Sequence, residues 1–168
     1  MQGYRIGRLP RKLTDSDTGV SIQLPGPLAL FQLCRSISRM DTGLRKNLGL
    51  NAPLGTAGAI FVLLRIFKWV YVIKRQDRVV GMMGSGCWRP GEPAFLTMVI
   101  WSAQDRSRGT GSAALGLAVR AFCSRGLCTG FIVEVRAGNR KALRFWSRNG
   151  FVEKERRNEI IVMALPCA

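Results

Sequence analysis

The first half of the chain contains two segments whose apolar spacing predicts regular structure. Residues 4–9 alternate large apolar and polar side chains, which predicts a first strand. Residues 28–40 repeat apolar side chains at intervals of three and four, which predicts a half-buried helix. Residues 10–27 lie between them and end in a Leu-Pro-Gly-Pro run, so we expect a loop there. A second break follows the helix at residues 51–53.

Residues 57–73 are almost wholly apolar and raise the question of a membrane-spanning helix. The segment has only 17 residues and carries Arg65 and Lys68 near its middle. A span needs about 20 apolar residues, and each central charge costs about 2.5–3.5 kcal/mol. We therefore expect no membrane span, but a helix through residues 64–67 that leads into a strand at residues 70–74.

From residue 69 onward the apolar pattern changes to a period of two. Residues 70–74 and 78–84 predict a hairpin around Gln76 and Asp77, and a strand at residues 94–101 extends it into an antiparallel meander. The pattern then predicts a turn at 106–111, a helix to about Arg125, a strand at 130–135, a helix at 139–148 closed by Gly150, and two final strands.

Composition limits the chemistry that the chain can perform. Its 168 residues, 47% of them apolar, match one domain, residues 1–168, with a substantial core. The absence of histidine excludes a Ser-His-Asp or Cys-His nucleophile system, a His-ligated zinc and an imidazole acid or base. Proton transfer must therefore fall to a carboxylate, Tyr, Cys, Lys or water, and we expect no metal site.

The charge balance suggests a second function class. With 26 Lys+Arg against 10 Asp+Glu the net charge is +16, which makes a nucleic-acid-binding module the alternative to an enzyme. The most concentrated basic runs, residues 8–12 and 154–157, are short and carry no interleaved aromatic residues. We therefore favour a solvated arginine-rich surface and do not expect a nucleic-acid partner.

The five cysteines include no CxxC pair and lie mostly in apolar runs: Cys34, Cys87, Cys123, Cys128 and Cys167. This pattern predicts reduced, buried thiols and a reducing, cytoplasmic compartment. Cys123 and Cys128 as a redox pair is the alternative, with buried packing favoured. The first residues also lack the apolar run of a secretory signal peptide.

A glycine-containing turn before the third predicted helix is the segment most suggestive of chemistry. It comprises Arg106, Ser107, Arg108, Gly109, Thr110, Gly111 and Ser112. Glycines let successive N–H groups at a helix N-terminus point at one spot, where the helix dipole adds positive potential. Such a place suits a phosphate, but taken alone the pattern more often marks a tight strand-to-helix turn without a ligand.

Residues downstream of this turn strengthen the interpretation as a phosphate site. Asn139 and Ala142 open the next helix, Trp146 lies near its end, and Gly150-Phe151 closes it. Together with Arg106, Gly109 and Gly111, these residues resemble the two motifs of the GNAT superfamily of acetyl-CoA-dependent N-acetyltransferases. The resemblance is close over residues 69–165. In the first half it covers only the order of the elements.

The resemblance implies a fold and a cofactor site. The family fold is a mixed, mostly antiparallel α/β sheet of six or seven strands, splayed in the middle and flanked by about four helices. The amides of residues 106–112 are then expected to bind the pyrophosphate of coenzyme A, the main chain around Trp101 to pair with the pantetheine arm, and Asn139 to hydrogen-bond that arm or the thioester. Trp146 stands where the family often has a tyrosine proton donor, and an indole N–H does not ionise at useful pH.

Glu134 is the candidate base, because it is the one acidic residue between Arg106 and Phe151. Its surroundings are similar to the segment that carries the base in ribosomal-protein alanine N-acetyltransferases. A surface carboxylate paired with Arg136 or with another of the many arginines is the alternative.

The implied activity is acetyl transfer from acetyl-CoA to a primary amine, either a protein N-terminus or a small molecule. The amine site is expected from residues 28–67 and 89–93. A non-catalytic coenzyme A-binding protein is the alternative, and a homodimer is left open.

Overall fold

The computed structural model describes residues 11–39, 69–85, 91–101 and 103–167, together with positions 55 and 58. These residues form eight strands and three α-helices. In chain order they are β1 (Lys12–Asp15), β2 (Val20–Gln23), α1 (Pro27–Ser38), β3 (Trp69–Arg75), β4 (Arg78–Ser85), β5 (Ala94–Ile100), a 3₁₀ turn (Ala103–Asp105), α2 (Thr110–Cys123), β6 (Gly130–Arg136), α3 (Arg140–Arg148), β7 (Val152–Arg157) and β8 (Ile160–Pro166).

The strands form one sheet in the order β1-β2-β3-β4-β5-β6-β8-β7. Every neighbouring pair is antiparallel except β5 and β6, which run parallel. The β5–β6 pairing is limited to Ala94 opposite Phe131 and Phe95 opposite Ile132. Beyond these residues the two strands separate toward their carboxyl ends. The mixed, mostly antiparallel and centrally splayed sheet is thereby confirmed, with eight strands where six or seven were predicted.

The predicted hairpin at residues 70–84 is confirmed and its turn has a local cause. Gln76 and Asp77 have φ of 48° and 61°, the left-handed pair that a two-residue turn of type I′ requires. Such a turn matches the right-handed twist of the strands that it joins. β3 and β4 pair from Trp69 opposite Ser85 to Arg75 opposite Arg78.

Both faces of the central strands are buried. On one face, α2 packs into a large apolar cluster that includes Ile73, Leu96, Val133 and Phe122. On the other face, α1 supplies Leu33, Cys34 and Ile37, which pack on Val72, Met82 and Val99. Alternate residues of β5 therefore face opposite layers, as the period of two along a strand requires.

The loop predicted for residues 10–27 is wrong, because this region holds β1 and β2. A short turn joins the two strands: the Asp15 carboxylate accepts hydrogen bonds from the amides of Asp17 (3.1 Å) and Thr18 (3.2 Å), and Gly19 has φ of 64°. The two four-residue strands pair with each other, and β2 also pairs with β3. The strand predicted at residues 4–9, the break at 51–53 and most of the helix predicted before residue 69 lie outside the described residues.

The prediction of reduced thiols is wrong for Cys123 and Cys167. The Cys123 sulfur is bonded to that of Cys167, 44 residues later, and the two Cα atoms are 5.3 Å apart. The bond joins the end of α2 to the residue after β8, and Cys128 does not take part in it. Cys34 and Cys128 are free and buried, and burial raises the pKa of each thiol. Among the described helices, none is long and apolar enough to cross a membrane.

Candidate active site

The gap between β5 and β6 is the main opening in the sheet. From Leu96 to Ile100, β5 pairs with β4 alone, and from Val133 to Arg136, β6 pairs with β8 alone. Each strand therefore turns one edge of main-chain N–H and C=O groups toward the gap, where no other described strand pairs with it. Such edges can bind an extended ligand by main-chain hydrogen bonds. The gap widens toward the ends from which α2 and α3 begin.

The turn before α2 exposes the first amides of that helix. Gly109, the N-cap, has φ of 77°, and no side chain caps the helix. Ser107 also has a left-handed φ, 62°. The first turn of α2 carries no acidic residue, and residues 106–109 are all exposed. The amides of Thr110, Gly111 and Ser112 thus lack intrahelical partners and form a place that suits an anion.

The two glycines of this turn are required for different reasons. A Cβ atom on Gly109 would meet nothing within 4 Å, so the space beside its backbone is open and only its positive φ favours glycine. A Cβ atom on Gly111 would stand 3.0 Å from Cε2 of the Phe145 ring. Gly109 therefore borders open space next to the free amides, whereas Gly111 allows α3 to pack closely on α2.

Arg106 fastens the turn to the end of β5. Its Nε donates to the carbonyl of Ile100 (2.8 Å), and one terminal nitrogen donates to the carbonyl of Trp101 (3.0 Å). The Trp101 N–H in turn donates to the carbonyl of Val80 (3.1 Å). The main chain of Trp101, predicted to pair with a pantetheine arm, is thus held by the protein on both sides. Arg108 is exposed and has no hydrogen bond to the described part of the chain.

Three residues that the sequence pattern did not indicate support the turn, namely Arg75, Arg78 and Asp105. Thr110 is buried, and its hydroxyl accepts a hydrogen bond from Arg75 at the end of β3 (3.2 Å). Asp105 is 4% exposed and forms an ion pair of 2.9 Å with Arg78 at the start of β4. Both arginines flank the β3–β4 turn, so this hairpin holds the base of α2 in place. An acidic residue next to the glycine turn was the signal that could have suggested Asp105.

Glu134 lies on β6 within the stretch that borders the gap. Its side chain is exposed and points away from the large apolar cluster, to which its neighbours Val133 and Val135 belong. It lies opposite Val162 of β8, which lies opposite Glu155 of β7. It forms no ion pair within the described residues. The pairing with Arg136 that the alternative interpretation invoked is therefore absent from this structure.

Arg157 is bound by Glu155 and not by Glu134. Glu155 binds the Arg157 guanidinium through two hydrogen bonds of 2.6 Å. These bonds lower the pKa of Glu155 and raise that of Arg157, and the Glu134 charge adds slightly to the second effect. Arg157 is thus already neutralised by Glu155, and among the described residues no cation is bonded to the Glu134 carboxylate.

Asn139 caps α3 at the same end of the gap. Its side-chain oxygen accepts a hydrogen bond from the Ala142 amide (3.2 Å), which fixes the side chain and satisfies one of the first amides of the helix. The NH₂ group of the Asn139 side chain can donate a hydrogen bond to a ligand. An open depression lies beside it, lined by Arg136, Ala137, Gly138, Asn139 and Glu159.

Trp146 belongs to the core. It is 6% exposed, and its ring centroid lies 4.9 Å from those of both Phe145 and Phe151, each in an edge-to-face arrangement. The three rings connect α3 to the large apolar cluster. Packing accounts for this tryptophan, and its predicted contact with a cofactor stays a prediction.

Comparison with known proteins gives one family and several similar structures. The model of the acetyltransferase (GNAT) family matches residues 61–151. No curated protein matches the chain.

Similar folds include three acetyltransferases solved with coenzyme A. The first is RimL, a ribosomal-protein α-N-acetyltransferase (TM-score 0.74, 15% identity, 89% of this chain and 94% of that chain). The second is an aminoglycoside acetyltransferase (TM-score 0.73, 14% identity, 88% of this chain and 94% of that chain). The third is spermidine N-acetyltransferase from Vibrio cholerae, whose structure also holds spermine (TM-score 0.74, 11% identity, 89% of this chain and 96% of that chain). At these identities the similarity concerns the fold.

Proposed function

Because the chain belongs to the GNAT acetyltransferase family, we propose that it transfers the acetyl group of acetyl-CoA to a primary amine by direct attack in a ternary complex. One observation carries the proposal: the β5–β6 gap opens beside the uncapped N-terminus of α2. An extended thioester arm fits between the strand edges, and its phosphates fit on the amides. We take residues 1–168 as one such domain.

The phosphate end of the co-substrate is assigned to the turn before α2. The amides of residues 110–112 and the open space beside Gly109 favour a pyrophosphate there. Arg108 adds an exposed positive charge, and Arg106 adds a charge that stays bonded to β5. Thr110 contributes through its amide, since its hydroxyl is buried against Arg75. Ser107 and Ser112 are exposed and border the same place.

Glu134 is assigned as the base. An ammonium must lose a proton before its nitrogen can attack the thioester carbonyl, and a carboxylate at the gap can accept that proton directly or through water. The Glu134 carboxylate is exposed and has no bonded arginine within the ranges that the structure describes, which supports this role.

The remaining step is expulsion of the coenzyme A thiolate. The nitrogen–carbon bond forms, the carbon–sulfur bond breaks, and the sulfur leaves with the electron pair. A thiol has a pKa of about 8.5, so the thiolate can leave without a strong acid. Trp146 offers no ionisable proton, in keeping with unaided departure. Main-chain N–H groups at the gap are suited to stabilise the oxyanion.

The acceptor class is a primary amine, on a protein N-terminus or on a small molecule. The solved relatives are named for a ribosomal protein, aminoglycosides and spermidine. The residues expected to form the amine site, 28–67 and 89–93, fall largely outside the described residues. The cytoplasmic location stays a prediction, and the Cys123–Cys167 bond removes one of its premises.

The test is acetylation of an amine panel of peptides, polyamines and aminoglycosides, followed by mass spectrometry. We expect one class to gain 42 Da (one acetyl group) only when both protein and acetyl-CoA are present. Binding of acetyl-CoA in calorimetry without transfer to any amine would select a non-catalytic coenzyme A-binding protein. Neither binding nor transfer would overturn the proposal.

A further inference from the structure

Helix α3 turns a row of positive charges toward solvent. Arg140, Lys141, Arg144 and Arg148 are all exposed, and we call these four side chains the α3 basic face. Helical geometry places residues four apart on one side, so the face extends about 12 Å along the axis. The opposite side of the helix packs Trp146 into the core. Residues 135–152 contain five basic residues and no acidic one.

The described part of the protein does not neutralise these charges. No member of the α3 basic face forms a hydrogen bond or an ion pair with any residue in the described part of the chain. The basic run in β7 behaves differently, because Glu153 pairs with Arg156 (3.1 Å) and Glu155 with Arg157 (2.6 Å). The two arginines of the most concentrated basic run in this half of the sequence are therefore paired, whereas all four members of the α3 basic face lack a partner among the described residues.

The stability of α3 does not account for this arrangement. Like charges four residues apart destabilise a helix by about 0.2–0.5 kcal/mol per pair. The first turn carries Arg140 and Lys141 and no acidic residue, which also opposes the helix dipole. The helix thus retains several positive charges at a cost to its own folding, and a binding partner can offset that cost.

We propose that the α3 basic face binds the phosphate backbone of a nucleic acid. Three of its four members are arginines, whose planar fork matches phosphate oxygens. Its length equals three to four nucleotides of one strand at about 3.4 Å each. A net charge of +16 steers such a partner to the protein.

The face lacks what a protein partner would require. Large apolar side chains that anchor protein interfaces are exposed elsewhere in the described residues, at Leu24, Leu28, Phe31 and Val152. The expectation of no nucleic-acid partner rested on the linear spread of the basic residues. Helical spacing gathers them on one face, and a scan for consecutive charges does not show this.

The face also extends away from the proposed acetyl-CoA site. Arg144 lies more than one helical turn beyond the N-cap Asn139, and Arg148 lies more than two turns beyond it. Both can therefore be substituted without altering the residues assigned to the cofactor. The inference therefore does not depend on the proposed acetyltransferase function.

The test measures binding of a fluorescein-labelled 20-nucleotide single-stranded RNA to the full chain between 50 and 200 mM salt. We expect Arg144→Ala/Arg148→Ala to weaken binding about tenfold at 50 mM salt and to reduce the slope of log affinity against log salt by about 1.4. Lys154→Ala/Arg156→Ala removes the same charge from β7 and should change both quantities much less. Arg144→Lys/Arg148→Lys should keep the slope of the unchanged protein. Circular dichroism melting of each variant checks folding.

Two results would overturn the proposal. One is an equal loss in the α3 and β7 variants, which would mean that net charge alone drives binding. The other is a poly-glutamate peptide of equal charge binding as tightly as the RNA, which would assign the face to an acidic protein.

Discussion

The ring of Phe145 on α3 lies against the backbone of Gly111 on α2, where a Cβ atom on the glycine would stand 3.0 Å from Cε2 and 3.3 Å from Cζ. The two residues come from the two sequence motifs of the chain. One motif contributes the amides at the start of α2, and the other contributes Asn139 at the start of α3. The contact thus helps fix the relative position of two candidate ligand-binding helix ends.

The Gly111–Phe145 contact predicts a coupled effect on stability. Gly111→Val overpacks the contact and should lower the free energy of unfolding by about 1–3 kcal/mol. In a Phe145→Leu background the loss of unfolding free energy caused by Gly111→Val should be smaller by about 0.5–2 kcal/mol. Urea unfolding of the two single variants and the double variant measures the difference. Strict additivity would show that the ring does not limit the space at Gly111.

Trp146 predicts a separation between binding and catalysis. If the thiolate departs unaided, Trp146→Phe should keep most of kcat, since no proton donor is lost. Trp146→Ala should raise KM for acetyl-CoA, and by removing a buried ring should also lower the unfolding free energy by about 3–5 kcal/mol. Steady-state kinetics well below the melting temperature of each variant provides the measurement. Were Phe to lower kcat as much as Ala, the indole N–H would have to act in the transition state.

The Cys123–Cys167 bond predicts redox-dependent stability. A bond that closes a loop of this length contributes about 2–4 kcal/mol, so Cys123→Ala/Cys167→Ala should melt at a lower temperature than the oxidised protein. Dithiothreitol should lower the melting temperature of the unchanged protein toward that of the variant and leave the variant unaffected. A melting temperature that dithiothreitol does not change would argue against the bond in solution.

Glu134 predicts a pH-dependent loss of activity. Glu134→Gln keeps the shape of the side chain and should lower kcat about 10²-fold at neutral pH. The loss should shrink as pH rises, because the acceptor amine then deprotonates without help. Glu153→Gln removes an exposed carboxylate of β7 that pairs with Arg156 and leaves the Glu155–Arg157 pair intact, so it serves as the matched control, with little effect on kcat. A loss that stays constant across pH would indicate a structural role for Glu134.

Local signals in the sequence were sufficient for much of the second half of the fold. Gln76 and Asp77 marked the β3–β4 turn, Asn139 marked the start of α3, and periodicity marked α2 and β6. The same signals failed for β1 and β2, because a strand of four residues gives too short an alternation. Those two strands are stabilised by pairing with each other and with β3, which no local pattern reveals.

The sequence motifs were sufficient to predict where the candidate site lies. The contacts that hold the site together could not be predicted from the sequence. The family match to residues 61–151 confirms the resemblance that the two motifs carried. The contacts of Arg106 with Ile100 and of Asp105 with Arg78 depend on how separate elements meet. The Cys123–Cys167 bond likewise joins residues that only the folded sheet brings together.

The central claim is that acetyl-CoA binds with its phosphates on the amides beside Gly109. The most direct measurement is the affinity of Gly109→Val for acetyl-CoA in titration calorimetry, compared with that of Gly126→Val. Gly109 and Gly126 lie at opposite ends of α2, and each has a positive φ. A Cβ atom added to either would meet nothing within 4 Å, so the two substitutions cause the same kind of backbone strain. The account predicts that Gly109→Val loses affinity at least tenfold and that Gly126→Val keeps the affinity of the unchanged protein. Equal affinity in all three proteins would contradict it.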